Sequence, residues 1–389
     1  MRTESKVVVV GAGQGGLSAA VALADRGLRP LVLDRADTIA SAWRGRYDRL
    51  RLNTWRAFSH PPGRRFPKGV PTFPSRDQLI EHLERIAGED GIELRLGTRV
   101  QRIDRDRDGW IVRVADGEIR TQQVVVATGL DNEPVIPDWP GRDGFGGALL
   151  HSSEYRNPAP FEGRAVLVVG PGCSGMEIAH ELAEGGAEEV WLATRTPPNI
   201  LLRQGPGPVP GDLIAVALWH MPVRVGDAIA RFGQRMDIGD LTEYGLPAPT
   251  EGVFSRLHRL DAVPAIVDKA VIEAIKDGRI EVVRAVESLD DGGVELAGGG
   301  RVEPDAVIAA TGYRPALEPL VGHLDVLNER GVPRVFGGRP VTPGLRFIGY
   351  VPRPGGLGYM GKEGRRAARE IARELRSAPR HAPRETALA

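Results

Sequence analysis

Cysteine is almost missing from this 389-residue chain: Cys173 is its single thiol. An intrachain disulfide framework and a cysteine-based zinc site are therefore excluded. A dominant sign of charge is missing as well. Lys+Arg and Asp+Glu both number 51, for a formal charge of zero, which argues against nucleic acid or an anionic membrane as the main partner. The arginines scattered through 99–120 and 364–380 alternate with acids and read as solvated faces. No apolar run of about 18 residues occurs, so no spanning helix is expected. The opening MRTESKVVVVG runs straight into a strand signal, without a signal-peptide apolar region or cleavage site, and a cytoplasmic location is expected. His60, His82, His180 and His220 lack metal-ligand spacing, so no metal is expected. No acid–base dyad or nucleophilic triad is visible.

What the chain has in quantity is glycine, 50 residues, useful where backbone must approach a ligand. At 41% hydrophobic it can bury sizeable cores, and its length fits two or three domains. KVVVV at 6–10 reads as a buried parallel strand, followed by a glycine turn and an Ala/Leu-rich helix to about Gly27; a second strand, LVLD, ends at Asp34. Residues 35–75 have weak periodicity and read as a long functional connection, in which Trp43, Tyr47, Trp55 and Phe58 pack on something. A helix is expected after Ser75 as N-cap, with Leu79, Leu83 and Ile86 on one face. From Ile92 to Val126 the pattern is strand-like, broken by Gly and Asp turns. AVLVV at 165–169 then repeats the opening plan: strand, glycine turn, helix, and a strand at 189–193. After a Pro/Gly loop at 205–211, helical segments are expected from about 212 to 277 and strands at 280–310. RFIGY reads as a strand, and 362–376 as an amphipathic helix with Ala368, Ile371, Ala372 and Leu375 on one face.

The two echoing turns carry the chemistry. The first is Gly11-x-Gly13-x-x-Gly16: Gly11 for the tight turn, Gly13 for backbone approach to a pyrophosphate, Gly16 for close helix–strand packing. The helix N-terminus then offers free N–H groups and the positive dipole end to the phosphates. A strand before, a helix after, and the acid Asp34 closing the second strand supply the context a lone glycine motif lacks; Asp34 would accept from a ribose diol. The second is Gly170-x-Gly172-x-x-Gly175, where the following strand ends WLATRT. Arg195 and Thr196 stand at the ribose position, and a guanidinium there favours a 2′-phosphate, hence NADPH over NADH. The bland reading of Arg195 is a surface arginine in an arginine-rich chain. Two such units point to a flavin and a nicotinamide brought face to face. Cys173, inside the second turn, reads as a small filler.

Between the two turns, Phe145-x-Gly147-x-x-x-His151-x-x-x-Tyr155 matches FxGxxxHxxx(Y/F), and the chain resembles the flavin-containing monooxygenases that carry this fingerprint. YDRLRLNT at 47–54 looks like that family's segment beside the flavin ring, VVVATG at 124–129 and VIAATGY at 307–313 like its two strand-end motifs, and GLRFIGY at 344–350 like the last strand of its FAD domain. The stretch 221–283 is similar to YUCCA-type members, which oxidatively decarboxylate indole-3-pyruvate, and to bacterial relatives of mixed substrate range. Ser41-Ala42-Trp43 departs from the Gly-Gly that often precedes this tryptophan in the family. Tyr155 departs from the tryptophan of Baeyer–Villiger enzymes at that position.

The resemblance implies an α/β fold of two Rossmann-like, three-layer dinucleotide-binding domains, the NADPH domain inserted into the FAD domain. The expected boundaries are 1–157 and 301–376 for the FAD domain, 158–300 for the NADPH domain with a helical insertion at about 205–277, and a frayed tail at 377–389. It implies FAD and NADPH as cofactors, O2 and a small organic molecule as substrates, and a C(4a)-hydroperoxide of the flavin as the oxygen donor. It also adds Trp43, Val100 (through its backbone, by the adenine), Thr128, Gly129, Gly312 and Gly349 to the cofactor-binding residues. Asn53 becomes the candidate polar group near the reacting edge, against a plain role as a loop-capping asparagine. GGLGYMGK before and at Lys362 would set a helix N-terminus at the flavin pyrimidine. An amine, a sulfide and an α-keto acid all stay open as substrates, as does a homodimer. The alternatives are an NADPH-dependent flavin reductase or electron-transfer protein and an NADPH-sensing binding protein. A reductase of the disulfide type would want a CxxC pair.

Overall fold

The computed structural model describes residues 4–259 and 263–377; apart from Ser377, the expected tail lies outside them. Val7–Val10 are between 0% and 5% exposed, an unbroken apolar run as befits a strand covered on both faces. That strand, Glu4–Val10, pairs in parallel with Leu31–Leu33 on one side and Gly117–Val126 on the other. Glu93–Arg95 and Leu345–Phe347 extend the parallel set at its two ends. Pro340–Thr342 closes one edge antiparallel, and Val100–Asp106 with Gly109–Val114 form an antiparallel arm on Gly117–Val126. The helix Gln14–Ala24 shares a core with Val7 and Val9 beneath it and with Ala367, Ala368 and Ile371 of the C-terminal helix. Ser75 caps the helix Arg76–Ala87 in a reciprocal box with Gln78, each satisfying the other's backbone N–H.

A second, all-parallel sheet runs Glu281–Arg284, Glu189–Thr194, Ala165–Val169, Ala306–Ala309, Ala148–His151. Two of its strands, Ala148–His151 and Ala306–Ala309, fall outside the 158–300 segment expected for the inserted unit, because parallel pairing is decided by crossovers rather than by sequence proximity. The whole sheet lies in the chain between Gly117–Val126 and Leu345–Phe347 of the first, so one α/β unit is inserted into the other. Helices Gly211–Trp219, Val223–Asp237 and Val253–His258 pack around Leu218, Phe254 and Leu257. A short parallel pair, Ile200–Leu202 with Ala265–Val267, ties this segment to the second unit. The C-terminal helix spans Gly356–Ser377, beginning six residues before its expected start at 362. Among the described residues no helix is long and apolar enough to cross a membrane.

Candidate active site

The two glycine turns are close copies. Gly11 and Gly170 sit at φ 109° and 111°, which only glycine takes without strain. A Cβ on Gly11 would lie 2.5 Å from the Ala127 carbonyl oxygen, and one on Gly170 2.6 Å from that of Ala310. On Gly16 it would lie 1.8 Å from the Gly11 oxygen, and on Gly175 1.9 Å from the Gly170 oxygen. The middle glycines differ in kind: a Cβ on Gly13 or Gly172 meets nothing within 4 Å, so these faces are open. Both helices start from an extended glycine N-cap with no capping side chain. Their first-turn N–H groups and positive dipole ends are left for an anion, and an open glycine lets a pyrophosphate come close. The residues present fit a dinucleotide at each turn.

One cleft of about 1090 Å³ is walled by Gly11 and Gly13 of the first turn and by Cys173, Ser174 and Glu177 of the second helix. That stands at the upper end of the roughly 300–1,000 Å³ of ordinary small-molecule pockets. Asp34, Trp43, Asn53, Val100, Thr128, Gly129 and Gly349 line this same cleft. The Asp34 carboxylate accepts from the Ala12 and Ala36 N–H groups at 2.6 and 2.9 Å, which fixes it beside the first turn with lone pairs to spare for a diol. Thr128 shares a 2.8 Å hydrogen bond with the buried Tyr350 hydroxyl. Gly16, packed against Gly11, and Gly170, Gly172, Gly175, Arg195, Thr196 and Gly312 lie outside the lining. Arg195 and Thr196 are exposed, just past the strand Glu189–Thr194.

The tryptophan segment makes its turn without the family's glycines. Ser41–Arg44 is a short helix, and the left-handed position falls on Ala40, φ 57°. Cys173 accepts from the Ile266 N–H at 3.2 Å and donates to the Pro264 carbonyl at 3.5 Å, and burial pushes its thiol up. It fills and ties the turn. In the 145–155 fingerprint, His151 ends its strand with Nε2 3.0 Å from the Gly312 carbonyl and Nδ1 2.9 Å from the Ser153 hydroxyl. Burial holds its pKa low. Tyr313 meets its ring edge-on at 4.8 Å and takes a hydrogen bond from Arg46 at 2.5 Å. Arg46 also pairs with Asp131 at 2.7 Å, so the fingerprint histidine leads by two contacts to the cleft wall.

Two buried charged groups that sequence pattern does not single out, Arg203 and Glu363, stand behind this lining and hold residues that belong to it. Arg203, 3% exposed, donates from Nε to the Asn53 Oδ1 at 3.1 Å and from its terminal nitrogens to Glu177 and Asp268. Glu177 in turn accepts from the Tyr47 hydroxyl. Glu363, 2% exposed, accepts from the N–H groups of Gly349 and Gly337 at 2.8 and 3.0 Å. Burial nevertheless raises it from 4.5 to about 7. The C-terminal helix brings Leu357 and Met360 to the cleft.

Two α/β units, one inserted into the other, each with a glycine turn whose helix reaches a common cleft, define an oxidoreductase of the dinucleotide-binding plan. Comparison with known proteins narrows this. Residues 8–200 match the family model of pyridine nucleotide-disulphide oxidoreductases. The chain is 35% identical over 356 residues to indole-3-pyruvate monooxygenase YUCCA1 of Oryza sativa subsp. japonica, covering 89% of this chain and 86% of that one. It is 32% identical over 379 residues to probable indole-3-pyruvate monooxygenase YUCCA3 of Arabidopsis thaliana, covering 94% and 86%. Among solved structures, a flavin-containing monooxygenase from Stenotrophomonas maltophilia superimposes with TM-score 0.71 at 25% identity, over 96% of this chain and all of that one. An NADP-bound steroid monooxygenase shares the fold, with TM-score 0.73 at 19% identity over 96% and 85%. The chain belongs to the flavin-containing monooxygenase family and is a flavin-dependent monooxygenase.

Proposed function

We propose that this enzyme uses FAD and NADPH to transfer one oxygen atom from O2 to a small organic substrate, with an α-keto acid of the indole-3-pyruvate type as the first candidate. The observation that carries the reading is the shared cleft, onto which Gly13 and the first turn of the helix Cys173–Glu184 both open. The substrate class is supported by the activity named for relatives at 32–35% identity; amines and sulfides are the other classes to test.

In this reading Gly11, Gly13, Gly16 and the N-terminus of Gln14–Ala24 hold the FAD pyrophosphate, Asp34 its ribose, and the Val100 backbone its adenine. Trp43, Thr128, Gly129 and Gly349 hold the flavin half. Gly170, Gly172, Gly175 and the N-terminus of Cys173–Glu184 hold the NADPH pyrophosphate, with Arg195 and Thr196 at its 2′-phosphate and Gly312 at the strand end nearby. When bound, the flavin supplies hydride acceptance from the nicotinamide and the activation of dioxygen. The protein's part is to orient, hydrogen-bond and keep water out. Leu50, Leu52, Leu357 and Met360 give the cleft apolar walls. Asn53 is the polar group offered to the reacting edge, its Oδ1 already engaged and its amide N–H groups available as donors. Glu363 pins the Gly349 N–H and so the backbone at the flavin end. As the chain's single thiol, Cys173 has no partner for the intrachain dithiol chemistry of a disulfide reductase.

For an α-keto acid the balanced outcome is the shortened carboxylic acid, CO2, NADP⁺ and water. The test is a yellow preparation supplied with NADPH, isotope-labelled dioxygen and each substrate class in turn. Label in the product, matched to NADPH consumed, supports the proposal. NADPH oxidation that returns only hydrogen peroxide with every class would refute it.

A further inference from the structure

Asn53 is the one polar side chain assigned to the reacting edge, and an asparagine amide can present either its oxygen or its nitrogen. A loop residue, half-buried, would ordinarily exchange these faces freely. Here it cannot. Arg203, which does not itself line the cleft, reaches it with an Nε donor, 3.1 Å from Oδ1. An arginine has donors only, so this contact holds the amide oxygen on the Arg203 side and turns the NH2 group away from it. No protein partner takes those amide hydrogens among the described residues. Arg203 itself has no freedom: it is 3% exposed, with its two terminal nitrogens on Glu177 and Asp268. Tyr47, six residues before Asn53 and 4% exposed, closes the loop by donating to the other Glu177 oxygen.

The elements joined this way belong to different units. Tyr47 and Asn53 lie on the connection of the first unit. Glu177 is in the first two turns of the helix that follows Gly170–Gly175, and Asp268 precedes the helix Lys269–Lys276. The guanidinium's charge is spent on two carboxylates, so Arg203 is not a free cation for an anionic substrate.

We propose that Arg203 is a positioning residue: it fixes the Asn53 amide with its NH2 group toward the cleft, as a hydrogen-bond donor only, and couples that orientation to the helix of the second glycine turn. The proposal rests on the reading of Asn53 given above. Lysine cannot replace this function, because one compact ammonium does not reproduce the planar fork that serves three acceptors at once. It does keep the charge facing the half-buried Glu177, which removal would leave with the Tyr47 hydroxyl and no cation.

The test is a double-mutant cycle in the flavin-loaded enzyme with R203K, N53A and R203K/N53A, since contacting residues that act through each other are non-additive. Two readouts are followed: the visible absorption spectrum of the oxidised flavin, and the share of oxidised NADPH that appears as hydrogen peroxide. R203K is expected to shift the spectrum in the direction that N53A does and to raise peroxide leakage by about tenfold, the size of a typical coupling between touching side chains. Added to N53A it changes neither readout further. Full additivity of the two substitutions would overturn the proposal. So would an R203K enzyme that melts earlier but keeps the wild-type spectrum and leakage, which marks a merely structural arginine. If the wild type itself yields peroxide and no product with any substrate, the oxygenation reading fails, while the spectral cycle still decides whether Arg203 sets Asn53.

Discussion

The two glycine turns have nearly the same backbone, with first-glycine φ values of 109° and 111° and third glycines that would clash with the first at 1.8 and 1.9 Å, yet they stand in different company. Beside the first, Asp34 is buttoned to the Ala12 and Ala36 N–H groups, and the turn opens directly into the cleft. Beside the second, Arg195 and Thr196 are exposed, and only the helix behind the turn reaches the cleft. In the reading proposed above, the backbone seats a pyrophosphate in both cases, and the residue at the end of the second strand decides which nucleotide sits there. In the proposed reading the first seat encloses a resident cofactor and the second admits one that comes and goes.

Substituting the middle glycines breaks the comparison most sharply, because neither position has a protein atom within 4 Å to clash with. G13V is expected to fold and to lose about a hundredfold in flavin affinity, from a clash worth about 3 kcal/mol with the ligand; bound flavin after gel filtration measures it. G172V is expected to stay yellow and lose a similar factor for NADP⁺, read by titrating the flavin absorbance. If both variants lost the same ligand, the division of labour would be wrong.

Arg195 comes next. R195A should raise the NADPH KM roughly tenfold to a hundredfold, the worth of charge-assisted hydrogen bonds to phosphate, and leave the NADH KM where it is. Steady-state assays with both nucleotides check this.

Glu363 sharpens the first side only. Its native carboxyl holds a proton up to about 7, against 4.5 ordinarily. Between those values the unfolded chain binds fewer protons than the native one. Stability should therefore fall as pH rises through that window and level off above about 7. Thermal melts across the range should show this slope in the wild type and a flatter one in E363Q, whose amide does not titrate. The smallest effect belongs to Ala40, left-handed at φ 57°: A40G should stabilise by up to about 1 kcal/mol, visible as a raised midpoint in denaturant.

Much of this was legible before the structure. Gly11, Gly13 and Gly16, Asp34 and Ser75 announce themselves, because turn, cap and strand-end chemistry is local and limited to few residue types. The sheet membership of Ala148–His151 and Ala306–Ala309 was not, since it depends on pairings across the chain. The early start of the C-terminal helix was hidden by Gly356, Gly358 and Gly361, poor helix formers. Gly358 is there for another reason: a Cβ would lie 2.5 Å from the Phe58 carbonyl oxygen. Arg203 gave no signal, standing beside a Pro/Gly loop without periodicity in a chain rich in arginine. Glu363 read as one more polar residue on an amphipathic helix, until the Gly337 and Gly349 loops closed over it.

The central claim is that the flavin seated on the first turn and the nicotinamide seated on the second meet across one cleft. Anaerobic addition of NADPH to the flavin-loaded protein tests it most directly. The account predicts rapid bleaching of the flavin's visible absorption in the wild type and slow or no bleaching in G172V, with dithionite bleaching both. A wild-type flavin that NADPH leaves oxidised while dithionite reduces it would contradict the account.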